Sequence, residues 1–120
     1  MDKSRKKELI EQYKRTKPQM GIFIIRSKAN NKCYLQTTQD LRGVMNGAIV
    51  RLAAGIHPYR ELQKEWKDFG SENFTIEILD NLEYDKDELK TDYKEDLVLL
   101  EMIWEEKLAK EDIEFYKKKI

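Results

Sequence analysis

Three side chains in this sequence stand out as groups that could do chemistry: Tyr34, His57 and Glu101. Glu101 falls inside the apolar stripe of a predicted helix, between Leu97 and Leu108 on the helical wheel. A carboxylate in that position needs a partner, because burying an unpaired charge is costly. Two interpretations follow. Glu101 is either an edge residue that bonds to a lysine or a backbone amide, or a ligand for a metal ion.

The other two candidates also have a structural and a functional interpretation. His57, the only histidine, lies in a short Gly-Ile-His-Pro loop. Loop histidines are usually exposed to solvent, but a pKa near neutrality also suits a proton donor or a phosphate contact. Tyr34 lies in the middle of a predicted strand, where a tyrosine is normally half-buried packing. The single cysteine, Cys33, lacks a neighbour that would activate a thiolate, and we interpret it as structural.

The charges of the chain are divided along its length. The 120 residues contain 23 Lys and Arg and 23 Asp and Glu, so the formal net charge is zero. Residues 1–67 have 15 basic and 6 acidic residues (+9), whereas residues 68–120 have 8 basic and 17 acidic ones (−9). A basic part attracts polyanions and an acidic part suits a divalent cation. Alternatively, two solvated helical faces simply differ in sign.

Length and composition exclude several classes of protein. A chain of 120 residues, 10% of them aromatic, is expected to form one compact domain and not a disordered segment. No apolar run approaches the ~20 residues of a membrane span, and the first residues lack a signal-peptide pattern. One cysteine cannot form an internal disulfide, which fits a reducing compartment. We therefore predict a cytoplasmic location and no membrane partner.

Six elements are predicted to position the candidate residues. They are an amphipathic helix over residues 3–17, a β-hairpin of residues 20–26 and 32–37, a helix from Asp40 to Gly55, a helix from Pro58 to Gly70, a strand over residues 74–79, and a helix over residues 92–110. Three strands flanked by helices predict an α/β (α+β) fold with a small antiparallel or mixed sheet.

Further expectations concern details of this arrangement. The hairpin is predicted to turn at Asn30 and Asn31, because asparagine tolerates positive φ. Residues 81–90 are expected to begin as a loop, and residues 111–120 either to extend the last helix or to pack separately. The helix after Asp40 is predicted to bury one apolar face, made of Leu41, Val44, Met45, Ala48, Ile49 and Leu52.

From about Met20 to Leu108 the sequence resembles the GIY-YIG nuclease superfamily. Gly21-Ile22-Phe23 stands at the first motif, Tyr34-Leu35-Gln36 at the second, and Glu101 with Trp104 at the helix of the family's metal-binding glutamate. The resemblance is closest to short bacterial and phage-type members, in a branch also linked with LuxR-type regulators. It divides the chain into an N-terminal helical extension (1–19), a nuclease-like domain (20–110) and a C-terminal helical tail (111–120).

The resemblance implies hydrolysis of DNA phosphodiester bonds with one divalent metal ion, Mg²⁺ or Mn²⁺. The resemblance also implies a role for each candidate residue: Tyr34 would be the general base, Glu101 would bind the metal ion, and His57 would contact the phosphate. The expected contacts to DNA are the basic residues of the hairpin and of the following helix: Arg26, Lys28, Lys32, Arg42 and Arg51. Because an acidic half opposes them, DNA binding is expected to be weak and sensitive to salt.

Several positions depart from the family pattern. Phe23 replaces the tyrosine of the first motif and Gln36 the glycine of the second. Val44 aligns with the family's arginine, and Ala48 follows one turn later. Arg51 has the azimuth of Val44 but lies about 10 Å further along the helix axis. Loss of one charge-stabilising donor typically costs on the order of 10²–10³ in rate.

Three functions therefore stay open on the sequence alone. The first is a metal-dependent DNA endonuclease, at full or reduced rate. The second is a nuclease-fold module that has lost hydrolysis and binds nucleic acid or regulates. The third is a protein-interaction module that docks a partner or a second copy, and this function predicts an exposed apolar patch.

Overall fold

A computed structural model describes residues 17–116, so the helix predicted over residues 3–17 lies outside the described residues except for Lys17. The strands are β1 (Met20–Ser27), β2 (Cys33–Thr38) and β3 (Phe74–Leu82). The helices are α1 (Leu41–Ala54), α2 (Arg60–Phe69) and α3 (Lys94–Ala109), with a 3₁₀ turn at Ser71–Asn73. Over this range the predicted α+β fold and the order of its elements are confirmed. None of the described helices has the length and apolar character to cross a membrane.

The three strands form an antiparallel sheet in the order β2-β1-β3. β1 is the central strand, and its apolar sequence is nearly continuous because both of its faces are buried. The hairpin turns where predicted, with Asn31 in the left-handed region at φ 60°. Gly21 is required by packing, since a Cβ there would lie 2.1 Å from the carbonyl oxygen of Asp80 on β3.

Each face of the sheet supports its own core. Side chains alternate along a strand, so Phe23 and Ile25 point to one side of β1 and Ile22 and Ile24 to the other. The first side is covered by α1 and α2, through residues that include Leu41, Ala48, Leu52 and Leu62. The second side is covered by α3, through residues that include Leu100, Trp104 and Leu108. The domain is therefore a layered arrangement with α1 and α3 on opposite faces of the sheet.

Helix α1 begins and ends at the residues that the sequence predicts. The Asp40 side chain accepts a hydrogen bond from the Gly43 N–H at 3.1 Å, and Gly55 ends the helix in the left-handed conformation at φ 79°. The predicted apolar face is wrong at Ile49, which is 41% exposed. A flat sheet contacts only part of a helix circumference, so a residue at the margin of a wide stripe faces solvent.

The start of α2 and the end of β3 differ from the prediction. Helix α2 begins at Arg60, with Tyr59 as its N-cap, and not at Pro58. Strand β3 runs to Leu82, so the loop predicted to begin at Asn81 begins later. Leu82 pairs with Met20 at the start of β1, and this tertiary pairing extends the strand past polar residues that end the sequence pattern.

The described part of the tail beyond α3, residues 111–116, packs separately and does not extend the helix. The backbone N–H of Cys33 donates to the carbonyl of Glu114 at 2.9 Å, and the N–H of Tyr116 donates to the carbonyl of Cys33 at 2.9 Å. Phe115 thereby forms a parallel bridge with Cys33 on the outer edge of β2. Ile113 and Tyr116 are buried, one in each core. We call residues 113–116 the C-terminal strap.

Candidate active site

Tyr34 and His57 are in direct ring contact. Their ring centroids lie 5.4 Å apart in an edge-to-face arrangement, and the ring of Tyr59 lies 4.5 Å from that of Tyr34. Tyr34 points from β2 toward the α1 and α2 side of the sheet. His57 is only 6% exposed, so the alternative of a solvent-exposed loop histidine is wrong. The α1–α2 connection thus places a buried imidazole against Tyr34, near the start of β2.

The hydrogen bonds of His57 define its protonation. Its Nδ1 accepts a hydrogen bond from the Tyr59 N–H at 3.1 Å, which leaves the proton of the neutral ring on Nε2. Burial, and secondarily the charge of Arg51, lowers the pKa of His57 from its ordinary value of 6.5. Its backbone N–H donates to Gln63 Oε1 at 2.9 Å, which fixes the loop. At neutral pH His57 is therefore a neutral hydrogen-bond donor, which suits a phosphate contact.

The hydroxyl of Tyr34 already has a hydrogen-bond acceptor within the protein. It donates a hydrogen bond to Gln36 Oε1 at 2.7 Å, two residues along the same strand face. Burial raises the pKa of Tyr34 well above its ordinary value of 10, and Tyr59 and the charge of Glu101 raise it further, while Arg51 opposes the shift. Burial thus keeps Tyr34 in its protonated form, in which its hydroxyl donates to the residue that replaces the glycine of the second motif. A protonated tyrosine is a poor general base.

Glu101 reaches Tyr34 from the other face of the sheet, around the outer edge of β2. The two side chains line one cavity of about 30 Å³, together with Cys33, Leu35, Tyr59, Glu105, Phe115 and Tyr116. A cavity of this size has room for roughly one or two water molecules. Glu101 is half-buried, as its place on the wheel predicts. Tyr34 therefore contacts His57 on the α1 and α2 side and shares this cavity with Glu101, and the C-terminal strap forms one wall of the cavity.

The donors in this cavity suit a hard divalent cation. Glu101 and Glu105 lie one turn apart on α3 and line the same space, and Mg²⁺ and Mn²⁺ prefer carboxylate oxygens. Across residues 17–116, three or more His, Cys, Asp and Glu side chains never gather in a group that could hold a metal ion. The described protein ligands would thus be these carboxylates, with water completing the coordination, as Mg²⁺ commonly retains it.

The five predicted DNA contacts are not brought to one place. Arg51 acts electrostatically on both Tyr34 and His57, so its charge lies at the site. Arg42 is exposed on α1, nine residues away and about 13 Å along the helix axis. Lys32 is paired with Glu61 at 2.6 Å. Arg26 lies on the opposite face of β1 from Phe23, and Lys28 is exposed in the hairpin turn.

The residues that replace the family's motif residues pack against the core. Phe23 is fully buried and its ring lies 6.4 Å from that of Tyr34. Val44 is half-buried against the core on the α1 side, and Ala48 is buried within it. These positions contribute no charge to the site. The arginine charges that act on residues of the site are those of Arg51, on Tyr34 and His57, and of Arg26, on Cys33.

Four contributors to the site were not predicted from the sequence. Glu105 had an available signal, because residues four apart on a helix lie on one face and Glu101 was already a candidate. Tyr59 follows His57 by two residues, but its edge-to-face contact with Tyr34 depends on the fold of the connection. In the sequence Gln36 indicates only the loss of a motif glycine, whereas the fold makes it a hydrogen-bond acceptor for Tyr34. Tyr116 reaches the site through the strap, for which no local signal exists.

Comparison with known proteins supports the fold. No protein-family model matches the sequence, and no curated protein sequence matches it significantly. The catalytic domain of homing endonuclease I-TevI has a similar structure, with a TM-score of 0.64 and 23% identity over 82% of this chain and 99% of that domain. A point-mutant form of the catalytic domain of intron endonuclease I-TevI gives a TM-score of 0.63 and 22% identity, over 82% of this chain and 92% of that one. The GIY-YIG nuclease fold predicted from the sequence is confirmed.

Proposed function

We propose that this protein slowly hydrolyses phosphodiester bonds of DNA with the help of a divalent cation, in the cytoplasm of a bacterial cell. The observation that carries the proposal is that Tyr34 contacts the ring of His57 and also lines one cavity with Glu101. The similarity to the catalytic domain of a homing endonuclease supports DNA as the substrate. The charge of Arg51 at the same place suits an anionic substrate.

The protein groups have separate tasks in this proposal. The Nε2–H of neutral His57 donates to a phosphate oxygen, and the guanidinium of Arg51 opposes the negative charge that develops there. A Mg²⁺ or Mn²⁺ ion held by Glu101 and Glu105 would supply Lewis-acid chemistry when bound. The aromatic rings of Tyr34 and Tyr59 exclude bulk water from one side of the cavity.

The slow rate follows from the state of Tyr34. Before Tyr34 can accept a proton from the attacking water, its own proton must leave and its hydrogen bond to Gln36 must break. The arginine position of the family is apolar Val44, which removes one charge-stabilising donor. Such a loss typically costs on the order of 10²–10³ in rate. We expect turnover far below that of a nuclease with the full set of groups.

The proposal is tested by nicking of supercoiled plasmid with Mg²⁺ or Mn²⁺. We expect Glu101→Gln to reduce the nicking rate at least about 100-fold, since a neutral amide is a poor cation ligand. Glu106→Gln is the matched control, because Glu106 is exposed on the same helix and does not line the cavity. Equal nicking by the wild type and Glu101→Gln would refute the assignment of the site.

A second candidate is a module that binds DNA without cleaving it. The burial of Tyr34 favours this function, because burial raises the pKa of the proposed base and keeps it protonated, as its hydrogen bond to Gln36 requires. Fluorescence anisotropy with a short DNA duplex at 50–200 mM salt separates the two candidates. Binding that weakens with salt, in a wild-type protein that does not nick with either cation, would select the second candidate.

A further inference from the structure

Two helices carry apolar side chains on the side that faces away from the sheet. On α3 these are Val98, Leu99, Met102 and Ile103, each 49–59% exposed. On α1 they are Ile49 and Val50, followed by Ile56 just beyond the helix, 41–69% exposed. A helix that packs on a sheet normally presents polar residues to solvent. We call these sets the α3 outer face and the α1 outer face.

The two outer faces point to opposite sides of the molecule. Helix α1 packs on the sheet face of Phe23 and Ile25, whereas α3 packs on the face of Ile22 and Ile24. The sheet lies between the helices, so the two outer faces cannot meet within one copy. They can meet only between one copy and the next.

The electrostatic character of the two helices is complementary. Helix α1 has two arginines, Arg42 and Arg51, and no acidic residue. Helix α3 has five acidic residues and two lysines over Lys94–Ala109, and three of the acidic residues, Glu95, Asp96 and Glu106, lie outside the cavity that Glu101 and Glu105 line. An apolar surface on a basic helix thus matches an apolar surface on an acidic helix, and complementary charge favours one orientation over others.

Pairing of like faces is disfavoured by the same charges. A two-fold antiparallel pairing of α3 centred on its outer face places Glu95 opposite Glu106 and Lys94 opposite Lys107. Pairing α1 with α1 offers its arginines no acidic residue, because α1 has none. Like charges that face each other are destabilising. The α1 outer face therefore pairs better with the α3 outer face than either face pairs with a copy of itself.

We propose that a second copy of this chain docks its α1 outer face on the α3 outer face of the first, head to tail. Such a heterologous contact leaves one unused face on each end, so it continues into a ring or an open chain. A contact between single helix faces is smaller than the roughly 800 Å² per partner of a stable complex, so the association is weak and depends on concentration. The proposal does not depend on hydrolysis.

Sedimentation velocity over a concentration series tests the proposal with the full chain. The wild type is expected to grow in average mass with concentration. Val50→Glu, on the α1 outer face, and Leu99→Glu, on the α3 outer face, are each expected to stay at the monomer mass of 14.4 kDa. Leu89→Glu is the matched control: Leu89 is 89% exposed but lies outside both faces, and this variant should associate like the wild type.

A mixing experiment distinguishes head-to-tail docking from pairing of like faces. Each variant keeps one intact face, so an equimolar mixture of Val50→Glu and Leu99→Glu should form a complex of two chains and nothing larger. Circular dichroism melting verifies that both variants are folded. The proposal is overturned if the wild type stays monomeric at every concentration, if either variant alone associates like the wild type, or if the mixture does not associate.

Discussion

At the scale of single residues, the hydrogen bond of the Tyr34 hydroxyl depends on the residue two positions along the strand. Tyr34 and Gln36 point to the same side of β2 because strand side chains alternate, and this places the amide oxygen within 2.7 Å of the hydroxyl. A glycine at position 36 would leave the hydroxyl free to meet a water molecule. The residue at position 36 of the second motif therefore determines whether the Tyr34 hydroxyl is hydrogen-bonded within the protein or free to meet water.

Gln36→Ala is expected to increase plasmid nicking by roughly five- to tenfold, about the value of one hydrogen bond of ~1 kcal/mol. The gain arises because Tyr34 no longer has to break a hydrogen bond before it accepts a proton. Initial nicking rates with Mn²⁺ measure the effect. The double variant Tyr34→Phe/Gln36→Ala should show no gain, and a gain in that variant would mean that Gln36 acts on another group.

His57 makes stability depend on pH. Burial lowers its pKa in the folded state below the unfolded value of 6.5, so below pH 6.5 the unfolded chain binds more protons. The contribution of His57 is therefore complete above pH 6.5 and is lost as the pH falls through its folded pKa. His57→Asn keeps an acceptor for the Tyr59 N–H but does not titrate. Thermal melts at pH 7.5 and 5.5 should show a smaller drop in Tm for the variant, and equal drops would contradict the assignment.

At the scale of elements, two glycines of α1 have opposite effects. A Cβ at Gly47 meets nothing within 4 Å, whereas Gly55 ends the helix at φ 79°. Gly47→Ala is expected to stabilise the fold by about 0.5–1 kcal/mol, because alanine has the higher helix propensity. Gly55→Ala is expected to destabilise it by about 1 kcal/mol, because alanine disfavours positive φ. Urea unfolding of both variants measures the difference, and shifts of the same sign would contradict it.

The elements themselves could largely be predicted, because their determinants are local. Capping by Asp40, the stop at Gly55 and the turn at Asn31 depend on a few neighbouring residues. The end of β3 at Leu82 and the position of the C-terminal strap depend on pairing with Met20 and Cys33, which are distant in sequence. The candidate site likewise combines features with local determinants and features that depend on residues distant in sequence. The side chain of Glu101 could be placed by helical periodicity, whereas the burial of His57 required tertiary contacts.

At the scale of the whole molecule, the division of charge along the sequence becomes a division across the sheet. The arginines of α1 lie on one side and the acidic residues of α3 on the other. A duplex should therefore approach from the α1 side, where Arg51 also reaches the site.

Arg42→Ala and Arg51→Ala are each expected to reduce the slope of log affinity against log salt by about 1, the value of one phosphate contact. Lys107→Ala is the control, since Lys107 lies over the Trp104 ring on the α3 side. Anisotropy titrations with a short duplex at several salt concentrations give the slopes. A reduction by Lys107→Ala as large as that by Arg42→Ala would place DNA on the opposite side.

The C-terminal strap has a consequence for folding of the chain during its synthesis. The partners Cys33 and Phe115 are separated by about 80 residues, so β2 leaves the ribosome long before the segment that covers it. At ~5–20 residues per second, the nascent chain spends roughly 4–16 s with that strand edge unpaired. Hairpins form in about 1–10 μs, so β1 and β2 have ample time to fold and expose the edge. An exposed edge invites pairing with other chains, and slower translation of residues 39–112 should lower the yield of dispersed protein.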